Sequence, residues 1–316
     1  MQFGGSVRKA FSSQSTLLDR GEHCSLDPER LESIGLAVRC QIRVKRADDQ
    51  FALYTVSETR PEPKDTIVRM GFQGRQRLGT ADEFEATFDT QVPHPTFSDV
   101  EAVENSELVE RLDDHWEHQE LVVIAPHGGA IERHTDEQAE RVGALLGCDR
   151  ASVWRCKGFK LGGGAFERWH ITSTDINERS FPLLKKISSR GFACAIAFHG
   201  FSEADVLIGG GAPLTLKGEI AKAVERALGG SGIRVRIATA SENYDGDSPD
   251  NIVNRLGAGG NGVQIEQSIE AREGYWQPIA HAVADVYRVE MNRRRWSYDG
   301  SSERYEAALS GRPQAT

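Results

Sequence analysis

The feature that most limits what this chain can fold into is a set of short, nearly unbroken apolar runs. "LVVIAP" (121–126) and "ACAIAFHG" (193–200) carry almost no polar residue. A strand with one wet face alternates apolar and polar side chains, whereas a continuous run suits a strand covered on both faces. Amphipathic stretches separate these runs. Ala139, Val142, Leu145 and Leu146 share a helical face, and Thr135 with Gln138 fits a capping box at its start. "LTLKGEIAKAVERALGG" (214–230) reads as a helix closed by a Gly-Gly stop, and "YWQPIAHAVADVYRVEM" (275–291) as a closing helix. "RVRIAT" (234–239) and "GVQIEQS" (262–268) read as further strands. Strands alternating with helices predict an α/β fold, a mixed and mostly parallel sheet flanked by helices.

Upstream of about residue 105 the rhythm differs. "LAVRCQIRV" (36–44), "FALYTVSET" (51–59), "TIVRMGF" (66–72) and "FEATFDTQV" (84–92) have the period of half-buried strands. They predict a small antiparallel β unit ahead of the α/β region, broken off by "PHPTFSD". The expected division is a polar, poorly ordered segment 1–30, a β-rich domain 31–110 and an α/β domain 111–316. "RMGFQGRQRLG" (69–79) reads as a solvated basic turn, and "GFKLGGGAF" and "LIGGGAP" as flexible rims that match no nucleotide-binding loop.

A formal net charge of −9 argues against a general nucleic-acid binder, so no nucleic-acid partner is expected. No run of about 18 apolar residues predicts a membrane span, and no apolar h-region follows Arg8 and Lys9. The expectation is a cytoplasmic protein. Five scattered cysteines, Cys24, Cys40, Cys148, Cys156 and Cys194, read as reduced, small core residues.

In open α/β sheets, ligands sit beyond the carboxyl ends of strands. His127 leaves one apolar run, and His199 sits at the end of another. Gly128 and Gly129 permit backbone angles that let the chain fold back and aim Glu132 at the same point as His127. Two histidines and a carboxylate make a three-donor catalytic zinc set with a position left for water, although other divalent ions suit the same donors. Glu266, in "VQIEQS", is then the candidate general base. His134 reads as a helix entrance; His23, His94, His115, His118 and His281 have no partner pattern.

"APHGGAIE", "AFHG", "NIVNRL" and "GVQIEQS", in this order over roughly residues 115–292, resemble the poly-γ-glutamate hydrolases of phages and bacterial genomes. The resemblance implies a zinc-carboxypeptidase-like fold, cleavage of γ-glutamyl amide bonds and one zinc ion per chain. It implies that His127, Glu132 and His199 hold the metal and that Glu266 is the catalytic glutamate. Asn254-Arg255 resembles the Asn-Arg pair by which carboxypeptidases hold a substrate carboxylate, but it follows the second histidine here instead of preceding it. A guanidinium suits that task because it grips a carboxylate with two parallel hydrogen bonds. Arg133 is the other candidate arginine. "RWHITSTDIN" (168–177), similar to an HITS stretch in the family, places His170 in a short strand from which it could bond substrate or a metal ligand. The expected partner is an anionic γ-glutamyl polymer or a small acidic amide. Two alternatives stay open: a small-substrate N-acyl amino acid amidohydrolase or carboxypeptidase, and a non-catalytic nucleic-acid or protein-binding factor. An acidic chain that degrades an acidic polymer also has to gather its basic residues at the site.

Overall fold

The computed structural model describes residues 1–115, 118–240 and 242–298; the remainder of the expected 111–316 domain, 299–316, lies outside them. Two sheets organise the chain. The first is a closed six-stranded barrel of β1 (Gln2–Lys9), β2 (His23–Leu26), β3 (Gln41–Ala47), β4 (Gln50–Thr59), β5 (Ile67–Met70) and β6 (Phe84–Asp89), in the order β1-β5-β2-β4-β3-β6. It is not the antiparallel unit expected, because β1 runs parallel to β5 and β2 parallel to β4. Nor are residues 1–30 a loose tail. They supply β1 and β2, and Val7, Leu17, Cys24 and Leu26 are buried. Glycines and charges hide the alternation of "QFGGSVRK", since a small barrel buries only one side of each strand.

The basic stretch 69–79 is likewise not a solvated turn. Arg75 is buried and donates to the carbonyls of Met70 and Ala81, Arg69 pairs with Glu62, and Arg77 donates to Leu53 O and Glu167 O. Arginines here satisfy backbone acceptors that the tight barrel leaves unpaired.

The second sheet has seven strands: β7 (Leu108–Asp113), β8 (Leu121–Gly129), β9 (Ala151–Gly158), β10 (Cys194–Gly200), β11 (Val206–Gly209), β12 (Val235–Ile237) and β13 (Gly262–Gln267). Their order is β12-β11-β13-β10-β8-β9-β7. β8 is parallel to β9 and β10, β10 to β13 and β11 to β12, while β7 and β11 run against β9 and β13. The expected boundary at residue 110 falls inside β7, whereas the barrel's last strand ends at Asp89.

Both faces of this sheet are covered, as the apolar runs require. Leu121, Val123 and Ala125 pack with the helices Thr135–Leu146, Leu214–Ala227 and Ile269–Tyr298. Val122 and Ile124 face the other way, onto Trp154, Trp169, Phe181 and the barrel's Leu53. Ile196, in the middle of β10, is fully buried. Ile196→Val is expected to cost about 0.5–1.5 kcal/mol by removing one packed methyl, read as a lower denaturant midpoint at unchanged slope.

The capping box expected at Thr135 and Gln138 does not form. His134 is the N-cap, with a left-handed backbone, and Thr135 Oγ1 donates to Glu132 O. The Gln138 side chain instead bonds Gln267 on β13. Cys24, Cys40, Cys156 and Cys194 are buried and free, but Cys148 is exposed. Among the described residues, no helix is long and apolar enough to cross a membrane.

Candidate metal centre

β8 and β10 run side by side, and the next strand across sets His199 opposite Glu266 in register. Both histidines lie within their strands, since β8 continues to Gly129 and β10 to Gly200. After His127 the chain turns. Gly129 has φ +68, and its amide donates to the buried Asp136 carboxylate. Glu132 N then donates back to His127 O, 2.8 Å away, which returns the Glu132 side chain to the strand it came from.

Three donors converge there. His127 Nδ1 is 3.1 Å from Glu132 Oε1, His199 Nδ1 is 3.2 Å from His127 Nδ1, and His199 Nδ1 is 3.6 Å from Glu132 Oε2. All three side chains are buried. Nitrogen and oxygen donors at about 2.0–2.2 Å from a tetrahedral zinc stand roughly 3.3–3.6 Å from each other, so this spacing fits a metal. The tautomers fit as well. Ile171 O can only accept, so His127 Nε2, 2.7 Å from it, carries the proton. With that proton on Nε2, Nδ1 is the atom of His127 that faces Glu132 Oε1 and His199 Nδ1 and could ligate a metal. Ser173 Oγ stands 3.4 Å from His199 Nε2, and the amide of Gly200 donates to Glu132 Oε2.

Burial and charge oppose each other here. Burial pushes the Glu132 carboxyl up, but the two imidazoles outweigh it and hold it well below the usual range. Burial pulls His127 down, and the facing carboxylate lifts it above its ordinary value; for His199 burial wins.

His170 is not in a strand. It caps the short helix Ala165–Trp169, stacks on Phe166 and brings Nε2 to 4.0 Å from Glu132 Oε1. His127, Glu132 and His170 form another possible donor set, but His199 makes the shorter approaches.

These groups line one cleft of about 950 Å³. Glu266 stands in it, buried, with its carboxyl raised by desolvation and then by the Glu132 charge. Gln264 Nε2 donates to Glu266 Oε1, and Asn251 Nδ2 donates to Gln264 Oε1. Gln264 was findable from sequence, because side chains two apart on a strand share a face. Arg272 is the only arginine or lysine lining the cleft among the described residues. Its guanidinium fills the space over Gly200, where an added Cβ would come within 2.4 Å of Cζ, and Nη1 donates to Arg133 O. In sequence it stands in the charged stretch "SIEAREG" and reads as surface.

The other substrate-binding candidates are elsewhere. Arg255 bonds Glu178 and Ile176 O, and buried Asn254 is engaged by Gly211 N, Gly246 O and Ser248 O. Arg133 is 68% exposed and faces Glu273. None of the three lines the cleft. The Asn-Arg pair is spent on holding loops, which fits its different place in the chain order. The expected local gathering of basic residues reduces to Arg272, among the lining carboxylates of Glu132, Glu203, Asp245, Glu266 and Glu270.

Residues 95–289 match the model of the family described as poly-gamma-glutamate hydrolase. The chain belongs to this family. All the donors above lie within the matched span. A curated relative is the SPbeta prophage-derived UPF0714 protein YoqZ of Bacillus subtilis (strain 168), 28% identical over 155 residues. The match covers 48% of this chain and 50% of that protein, so the chain spans about half the length of the relative. Among solved structures, a bacteriophage poly-gamma-glutamate hydrolase is 24% identical with a TM-score of 0.48, covering 61% of this chain and 96% of that one. Zinc-free YNDL is 21% identical with a TM-score of 0.46, covering 62% and 96%. A putative carboxypeptidase from Burkholderia mallei is 11% identical with a TM-score of 0.41, covering 81% and 80%.

Proposed function

We propose that the chain is a zinc-dependent amide hydrolase that cleaves γ-glutamyl bonds, with poly-γ-glutamate as its substrate. Family membership supports amide hydrolysis. The observation that carries the metal reading is the convergence of His127 Nδ1, His199 Nδ1 and the Glu132 carboxylate: the nitrogens are 3.2 Å apart, with Oε1 3.1 Å from the first and Oε2 3.6 Å from the second. A zinc ion held there would supply Lewis acidity and make water a nucleophile near neutral pH.

The chain's own groups do the rest. Gln264 occupies Glu266 Oε1, which leaves Oε2 to take the proton of the attacking water and return it to the leaving amine. The buried surroundings that raise the Glu266 carboxyl make it a stronger base than a solvated glutamate. Arg272 replaces Arg255 and Arg133 as the group that takes a glutamyl carboxylate, because among the described residues it alone of the arginines and lysines lines the cleft. His170, which also lines the cleft, is the candidate to bond the substrate amide.

The test is metal content and cleavage together. The purified wild type is expected to carry about one zinc per chain at the His127, Glu132 and His199 donors, and to shorten poly-γ-glutamate. A His127→Ala, His199→Ala double variant is expected to lose both. A wild type that takes up no zinc under saturating conditions would refute the metal reading. A zinc-loaded wild type that ignores the polymer but cleaves small N-acyl glutamates would favour the small-substrate alternative.

A further inference from the structure

The barrel lies outside the family-matched span, and none of its residues lines the catalytic cleft. It nevertheless reaches the centre through the segment 170–180. That segment supplies the outer partners of both metal-candidate histidines: Ile171 O to His127 Nε2 and Ser173 Oγ to His199 Nε2. These contacts set the planes of the two rings, and therefore where each Nδ1 points. Residues 170–180 form no helix or strand, so no ladder or helical bond series holds them. On one side Ile252 N donates to Ser173 O. On the same side Arg255 bonds Ile176 O and Glu178, and the barrel holds the segment from the other side.

Gln41 is the centre of that hold. It is fully buried at the start of β3. Its Nε2 donates to Asp175 O at 2.7 Å, its Oε1 accepts from Asn177 N, and its backbone N donates to Ser180 Oγ. The second Nε2 hydrogen is left for the barrel side, where Arg39 O lies at 2.9 Å and Thr55 Oγ1 at 3.2 Å. Around it, Arg39 donates to Thr174 O, and His23 and Arg20 both reach the Asp175 carboxylate. Arg39 holds a left-handed backbone, φ 75, at the turn that enters the seam.

We propose that Gln41 is a positioning residue for the metal centre: by clamping residues 174–180 it fixes Ile171 and Ser173, and through them the ring orientations of His127 and His199. This rests on the reading that those histidines bind zinc. Without the amide, Asp175 O and Asn177 N lose these partners in a part-buried seam, at a cost that favours movement of the segment. Groups that orient metal-bound imidazoles typically matter about 10–100-fold in metal affinity.

The experiment measures zinc affinity of the full chain by competition with a chromophoric chelator. Gln41→Leu is expected to weaken zinc binding by about 10–100-fold, with the circular dichroism of a folded protein. Val44→Ala, in the buried barrel core and away from the seam, is expected to lower stability and leave zinc affinity unchanged. Should Gln41→Leu not fold, Gln41→Glu keeps the acceptor for Asn177, removes the donor to Asp175 and carries the same expectation. Unchanged affinity in a folded Gln41 variant overturns the proposal and leaves the metal reading standing. Equal weakening by Val44→Ala overturns it too, because barrel stability alone would then explain the effect. A wild type that binds no zinc removes both readings.

Discussion

Replacing Glu266 by glutamine is expected to lower kcat on poly-γ-glutamate by about 10²–10⁴-fold, with zinc content unchanged. The substitution keeps size and shape, and the new amide oxygen can still accept from Gln264. It removes only the ability to take a proton. A folded, zinc-loaded Glu266→Gln enzyme with wild-type kcat would transfer the proton role to another group, with His170 next in line by position. Stability gives a second readout. Desolvation, then the Glu132 charge, raises the Glu266 carboxyl well above 4.5, so the folded chain binds this proton more tightly than the unfolded one. Its favourable contribution is present below the unfolded value and is lost as pH rises through the folded one. Metal-free Glu266→Gln is therefore expected to melt higher than metal-free wild type at pH 8.

Arg272→Ala is expected to raise KM for γ-glutamyl substrates by about 10–100-fold, in line with a charge-assisted hydrogen bond. Lysine should restore little, because it lacks the planar fork that pairs with a carboxylate. Arg272 also donates to Gln267 O and Arg133 O, so a lower affinity alone would not isolate its contact with substrate. A substrate cycle does. Wild type should discriminate between a γ-glutamyl substrate and its α-carboxamide analogue, and Arg272→Ala should treat the two alike. Retained discrimination in the variant would place the carboxylate elsewhere.

The triangle was readable in the sequence because its parts are local. His127 and Glu132 are joined by one glycine turn, His199 stands near the end of an apolar run, and Glu266 stands inside the strand-like "VQIEQS". Arg272 was not readable, because its burial depends on Gly200, distant in sequence and missing a Cβ. Asn254 and Arg255 looked chemical as a dipeptide, but their partners come from residues 176–178, 211 and 246–248. The barrel's strands 51–59 and 84–89 alternate visibly, whereas β1 is glycine- and charge-rich, β2 has only four residues, and each has a parallel partner distant in sequence. No local pattern encodes such pairing.

The register of β10 against β13 has a consequence for engineering. His199 and Glu266 are directly paired across neighbouring strands. Their backbones are therefore spaced by the interstrand repeat of about 4.8 Å, a lattice constant that no side-chain substitution alters. The proposed metal ligand and the proposed base can be exchanged in identity but not moved apart. A one-residue slip of β13 would turn Glu266 to the opposite face, so turnover doubles as a gauge of strand alignment in any redesigned version of this sheet.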